Sequence, residues 1–227
     1  RAIAIEPLGE DALLLRLGER IDAAVNARVH ALAARIAARR PRWLREVVPA
    51  YASLALFVDP GADPDAVDPL AVPRAWLQAF VETADTDAAT GAGRLVELRV
   101  HYGGEDGPDL AAVAAHVGLS PEAVVERHCD VEYRVAMLGF APGFPYLLGL
   151  DPGLATPRLA TPRTRVPAGS VAIGGAQTGI YPRPGPGGWR VIGRTAQVLF
   201  DPLRDPPALL APGDRVRFVA VAPEASR

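Results

Sequence analysis

Alternating apolar positions open the chain. Ile3 and Ile5, then Leu13, Leu15 and Leu17, predict two short strands over Ala2–Glu6 and Ala12–Leu17 with a turn at Gly9. From Asp22 the period lengthens: Val25, Val29, Leu32 and Ile36 recur at steps of three and four, which predicts a helix capped by Asp22 and stopped by Pro41. Trp43–Pro49 and Ser53–Val58 read as a strand pair, Asp59–Asp68 as a turn, and Pro69–Val81 as a second helix. This order predicts an α+β unit, a small antiparallel sheet with helices on one face. Glu82–Gly93 is polar, small and aperiodic, and reads as a linker, placed most narrowly at 87–93 between domains over 1–86 and 94–227. Beyond it, Arg94–Tyr102 alternates as a strand, Asp109–Val117 and Pro121–His128 read as short helices, and Val131–Leu138 returns to strand. Ser170–Ile173, Arg190–Ile192, Ala196–Phe200 and Arg215–Val221 follow as short strands separated by turns, the pattern of a β-barrel or sandwich.

Between Leu138 and Thr195 more than one residue in three is Gly or Pro, against about one in eight in ordinary proteins. Disordered segments lack large apolar side chains, because they have nothing to bury them against. Here Phe140, Phe144, Tyr146, Tyr181 and Trp189 are interleaved with the glycines, so the stretch is expected to be ordered and to form much of any binding site. Arg158, Arg163 and Arg165 lie on a proline-stiffened backbone, and rigidly presented guanidiniums suit a carboxylate or phosphate; the alternative is a solvated surface. Gln177, Tyr181 and Trp189 offer polar tips in Gly-rich loops, with core packing as the alternative for Trp189. His128 ends a helix just before this stretch, either reaching the site or stabilising the helix C-terminus as a cation.

Composition narrows the chemistry. All 24 basic residues are Arg, which excludes a Walker A, Schiff-base or biotinylated lysine within this sequence. A net charge of -2 gives no basic footprint for nucleic acid, and no apolar run approaches the length of a membrane span. The alternating N-terminus does not read as a signal peptide, and the single cysteine, Cys129, precludes an intrachain disulfide and suits a reducing cytoplasm. His101, His116 and His128 lack metal-ligand spacing, so no metal site is expected. Gly103–Asp109 looks like an anion loop, but Glu105, Asp106 and Asp109 would repel a phosphate, and a turn capping the next helix is the better reading. No nucleophile or other catalytic residue can be assigned.

Tyr102–Leu110 (YGGEDGPDL), Leu138–Leu147 (LGFAPGFPYL), Val166–Ile173 (VPAGSVAI), Gln177–Pro182 (QTGIYP), Pro186–Trp189 (PGGW) and Ile192–Thr195 (IGRT) together resemble the family of 5-oxoprolinase B subunits, also known as allophanate hydrolase subunit 1 and including a sporulation kinase inhibitor. The resemblance implies a small α/β N-terminal domain, a cyclophilin-like and mainly β barrel as the C-terminal domain, and two partners. These are the C subunit (allophanate hydrolase subunit 2) and the A subunit, which with the B subunit open 5-oxo-L-proline to L-glutamate at the expense of ATP. The ATP, with Mg, would bind in the complex without a P-loop in this chain. A pocket for a small amide or lactam is then expected, with Arg163, Gln177, Tyr181 and Arg194 as its polar groups and Phe140, Phe144 and Trp189 as walls; Arg158 and His128 are further candidates. Two alternatives share the resemblance: a binding module that inhibits a sensor histidine kinase, and a component for allophanate or urea chemistry.

Overall fold

The structure, a computed structural model, describes residues 3–63, 65–83 and 93–221. The chain divides into two compact units, Arg1–Gly91 and Ala92–Arg227.

The first unit runs β1 (Ala4–Pro7), β2 (Ala12–Arg16), α1 (Ala23–Arg39), β3 (Leu44–Pro49), β4 (Ser53–Val58) and α2 (Ala71–Thr83). Its sheet is antiparallel in the order β1-β2-β4-β3. Leu13 pairs with Leu56 and Leu15 with Leu54, so the alternation read from the sequence sends all four to one face. There they meet Val29, Leu32 and Ile36 of α1 and Leu77 of α2. Asp22 caps α1 by accepting from the N–H groups of Ala24 and Val25, both at 2.9 Å. Arg40 closes the helix at φ 41° before Pro41. Glu82 and Thr83 end α2 instead of opening a linker; except for Gly93, the expected linker 87–93 lies outside the described residues.

The second unit comprises β5 (Leu95–Tyr102), α3 (Leu110–Val117), α4 (Pro121–Cys129), β6 (Tyr133–Leu138), β7 (Pro145–Leu148), β8 (Arg163–Val166), β9 (Ser170–Gly174), β10 (Gln177–Ile180), β11 (Gly185–Gly187), β12 (Arg190–Arg194) and β13 (Arg215–Ala220). Seven strands close a barrel in the order β10-β7-β6-β13-β5-β12-β9, while β8 and β11 form a separate two-stranded sheet. β5 and β13 run parallel, register Leu95 to Arg215; the other pairings are antiparallel. Period-two alternation sorts the barrel strands into two cores. Leu98, Val100, Leu147, Val171, Ile173, Ile192 and Phe218 join one cluster with Val113 and Val124 of the helices. The intervening Ala172 and Val191 turn to the opposite face, where they meet Phe144, Tyr181 and Trp189.

One expected strand, Ala196–Phe200, is absent as a strand; only Phe200 bridges Ala208. A turn in which Thr195 Oγ1 accepts from Gln197 N–H begins this region. The Arg204 guanidinium then gathers the carbonyls of Val198, Leu199 and Pro207, taking groups that a neighbouring strand would need. Among the described residues no helix is long and apolar enough to cross a membrane.

Candidate functional site

The second core opens into a cavity of about 320 Å³, walled by Phe140, Phe144, Tyr146, Tyr181 and Trp189 and completed by Arg158, Leu159, Pro162 and the Pro186–Gly188 turn. Phe144 is the hub. It is almost fully buried and meets the other rings at tilted or edge-on angles, with centroids 5.4 Å from Phe140, 4.9 Å from Tyr146, 5.2 Å from Tyr181 and 5.7 Å from Trp189. Such geometry sets the positive edge of one ring against the negative face of the next. Phe140 stands at the rim, 65% exposed, on the loop between β6 and β7 with φ 64°, a left-handed conformation that non-glycine residues adopt only when their surroundings impose it.

Glycine makes the walls possible. A Cβ on Gly174 would fall inside the indole of Trp189, and one on Gly187 inside the phenol of Tyr181. Both rings therefore lie flat on bare backbone, which no other residue would permit.

Arg158 supplies the only charge among the lining residues. Its guanidinium carbon sits 5.6 Å from the centre of the Trp189 ring, and no carboxylate among the described residues pairs with it. Burial raises the phenol pKa of Tyr146 and Tyr181; nearby Arg158 opposes this at both, and a hydrogen bond from the Trp189 backbone opposes it more strongly at Tyr181. Both phenols keep their protons at neutral pH.

Five of the sequence candidates, Phe140, Phe144, Arg158, Tyr181 and Trp189, thus converge. The other four lie elsewhere. Arg163 makes a forked pair with Asp109, both bonds 2.8 Å. The Gly103–Asp109 turn does lead into α3, but Asp109, at the N-cap position, makes no side-chain bond to the helix; its carboxylate instead takes Arg163 and the N–H of Val191 at 2.7 Å. Arg194 pairs with Asp106. Gln177 starts β10 and is not among the cavity-lining residues.

His128 is sealed among side chains from four barrel strands, stacked on Phe218 with centroids 4.6 Å apart. Burial lowers its pKa from 6.5 to about 3, so it is neutral, and the expectation of a cation at the helix end is corrected by the cost of burying that charge. The hydrogen bonds assign its tautomer. Thr178 Oγ1 donates its proton to Ala172 O at 3.0 Å, so it must accept from Nε2–H at 3.1 Å. Nδ1 is then the acceptor for the Tyr102 hydroxyl at 2.8 Å, and Tyr102 in turn accepts from Cys129 Sγ. Tyr146, one of the aromatics of the Gly- and Pro-rich stretch but not one of the specific site candidates, is also a wall: across Pro145–Leu148 the side chains alternate, with Leu147 in the main core and Tyr146 in the cluster around Phe144.

The second unit is a closed barrel with an aromatic cavity set apart from its main core, and residues 3–210 match the family model described as the carboxyltransferase domain, subdomain C and D. The chain is 44% identical to the 5-oxoprolinase B subunit of Bacillus subtilis (strain 168), covering 96% of this chain and 92% of that protein. It is 47% identical to the 5-oxoprolinase B subunit of Escherichia coli O157:H7, covering 93% of each. The crystal structure of TTHA0988 superposes with a TM-score of 0.79 at 42% identity over 92% of this chain, which spans 40% of that longer one. The chain belongs to the family of 5-oxoprolinase B subunits.

Proposed function

We propose that this chain works as the B subunit of an ATP-dependent 5-oxoprolinase in the cytoplasm, inactive alone, and that its aromatic cavity receives 5-oxo-L-proline. The C subunit would complete the site and the A subunit would hydrolyse the activated lactam to L-glutamate. In this reading the second unit is a cyclophilin-like domain, and the functional domains span 1–86 and 94–227.

One observation carries the reading: a single guanidinium, with no carboxylate partner among the described residues, lines a cavity whose other side chains are aromatic, proline and leucine. The size and composition of that space suit a small flat ring bearing one carboxylate. Arg158 would hold the carboxylate, Phe144 and Trp189 would flank the lactam ring, and Tyr146 or Tyr181 would donate to the lactam oxygen. A donor there draws electron density toward oxygen and makes the carbonyl carbon more electrophilic, the direction in which the ring must be activated.

Among the described residues, the Gly-rich loop does not suit ATP. The Gly103–Asp109 loop is acidic, two of its carboxylates are held by Arg163 and Arg194, and no group of three His, Cys, Asp or Glu could hold a metal ion. We therefore place the phosphoryl donor in the assembled complex and derive no step through it.

The test is 5-oxoproline-dependent ATP hydrolysis by the reconstituted complex carrying Arg158→Gln. Loss of a charged hydrogen bond to the carboxylate should raise KM roughly 10- to 100-fold. It should also abolish discrimination against 2-pyrrolidinone, the same lactam without the carboxylate. A variant with wild-type KM and wild-type discrimination would remove the substrate from this cavity.

A further inference from the structure

The geometry points to Arg163 and Asp109 as a positioning pair, a half-buried clamp that fixes the segment carrying Arg158 without touching the ligand itself; the inference rests on the cavity being the ligand site.

Thr156–Arg163 (TPRLATPR) presents Arg158, Leu159 and Pro162 to the cavity, yet it has few means of holding a shape. Pro157 and Pro162 have no N–H to give. The backbone is tied at Thr156, which exchanges bonds with Gly175 at 3.1 and 2.8 Å, at Pro157, whose carbonyl accepts from Arg190 Nε at 3.2 Å, and at Leu159, whose N–H meets Gly188 O at 2.7 Å. At its far end Arg163 pairs with Gly187 where β8 meets β11, and there its side chain adds the fork to Asp109.

That fork is anchored unusually well. Asp109 is 6% exposed and is itself docked on β12 at two points, its own N–H donating to Val191 O at 2.9 Å and its Oδ2 accepting from Val191 N–H at 2.7 Å. Val191 lies two residues from Trp189, the floor on which the Arg158 guanidinium rests. One carboxylate therefore fixes both halves of the Arg158–Trp189 contact: the segment through Arg163 and the floor through Val191. The departure from the local rule fits this role, because Asp109 stands where a helix cap belongs and leaves the cap unmade. A fork needs both guanidinium nitrogens, so lysine cannot replace it.

The experiment compares Arg163→Lys and Asp109→Asn in the full chain by amide hydrogen exchange, and in the reconstituted complex by steady-state kinetics, with Arg158→Gln in parallel. The clamp predicts faster exchange at Thr156–Val166 and Gly185–Trp189 with β13 unchanged. It also predicts a KM for 5-oxoproline raised about tenfold or more while kcat stays within about threefold. Unchanged exchange in the segment would overturn the inference, and so would a loosened segment with wild-type KM. Loosening of β13 to the same extent in both variants would also overturn it, since the pair would then be a general core element. Arg158→Gln keeps the failures apart: wild-type KM in that variant removes the cavity reading, while the exchange pattern still reports whether the clamp holds the segment.

Discussion

Acid should weaken the second unit through one imidazole. His128 is fully buried and neutral, its pKa lowered from 6.5 to about 3 by burial. Unfolding restores the ordinary value, so between these limits the unfolded chain binds a proton that the folded barrel refuses. Stability from this group is complete above pH 6.5 and is lost progressively as the pH falls toward 3. At pH 5 the imbalance is about 1.5 pKa units, or about 2 kcal/mol at 1.36 kcal/mol per unit, and it depends little on the folded value so long as that stays below 4. Against a total of about 5–15 kcal/mol this is a large fraction. The assay is urea unfolding of the full chain at pH 7, 6 and 5, for the parent and for His128→Gln, whose amide can still accept from Tyr102 and donate to Thr178. Placing both in a Trp43→Phe, Trp76→Phe background leaves Trp189 as the fluorescent reporter of the second unit. The variant starts less stable, but the gap should narrow by about 2 kcal/mol between pH 7 and pH 5. A gap constant to within about 0.5 kcal/mol would refute a buried, neutral His128.

Gly174→Ala should destabilise the second unit by about 1–3 kcal/mol through overpacking against Trp189 and should raise KM for 5-oxoproline; wild-type urea midpoint and kinetics would show that the close approach is not required. Asp22→Ala removes the bonds to Ala24 and Val25 and should cost about 1 kcal/mol in the first unit, read from Trp43 and Trp76 fluorescence in urea, with kinetics of the complex unaltered.

Where local physics decides, the sequence could be read. α1 follows from its periodicity and from its cap Asp22, which makes the expected bonds. The aromatic walls were visible because large rings in a Gly- and Pro-rich stretch need something to pack against. The arginines were not separable. Thr156-Pro157-Arg158 and Thr161-Pro162-Arg163 are the same tripeptide, yet one guanidinium faces the cavity while the other meets a carboxylate 54 positions away. The partner, not the neighbourhood in sequence, decides such a case. His128 carries the same lesson: at a helix end it reads as a site residue or as a cation on the helix dipole, and only the convergence of strands distant in sequence buries it and makes it neutral. Short strands such as β7, β10 and β11 were hidden because three or four residues give too little alternation to stand out from a loop.

The parallel seam between β5 and β13 has a consequence for how the protein is made. The first strand of the barrel unit is bonded to its last, and at that seam Arg94 pairs with Asp214 across 120 positions. On the ribosome, β5 emerges early and waits with both edges unpaired, because its neighbours β12 and β13 are the last two strands of the unit to be synthesised. Hairpins such as β9–β10 can form meanwhile, but the ring cannot close. Contacts this distant in sequence slow folding, and an edge left open is a template for pairing with another chain. Barrel closure is therefore a late event in synthesis, and the interval before it is when a nascent chain is most exposed to aggregation.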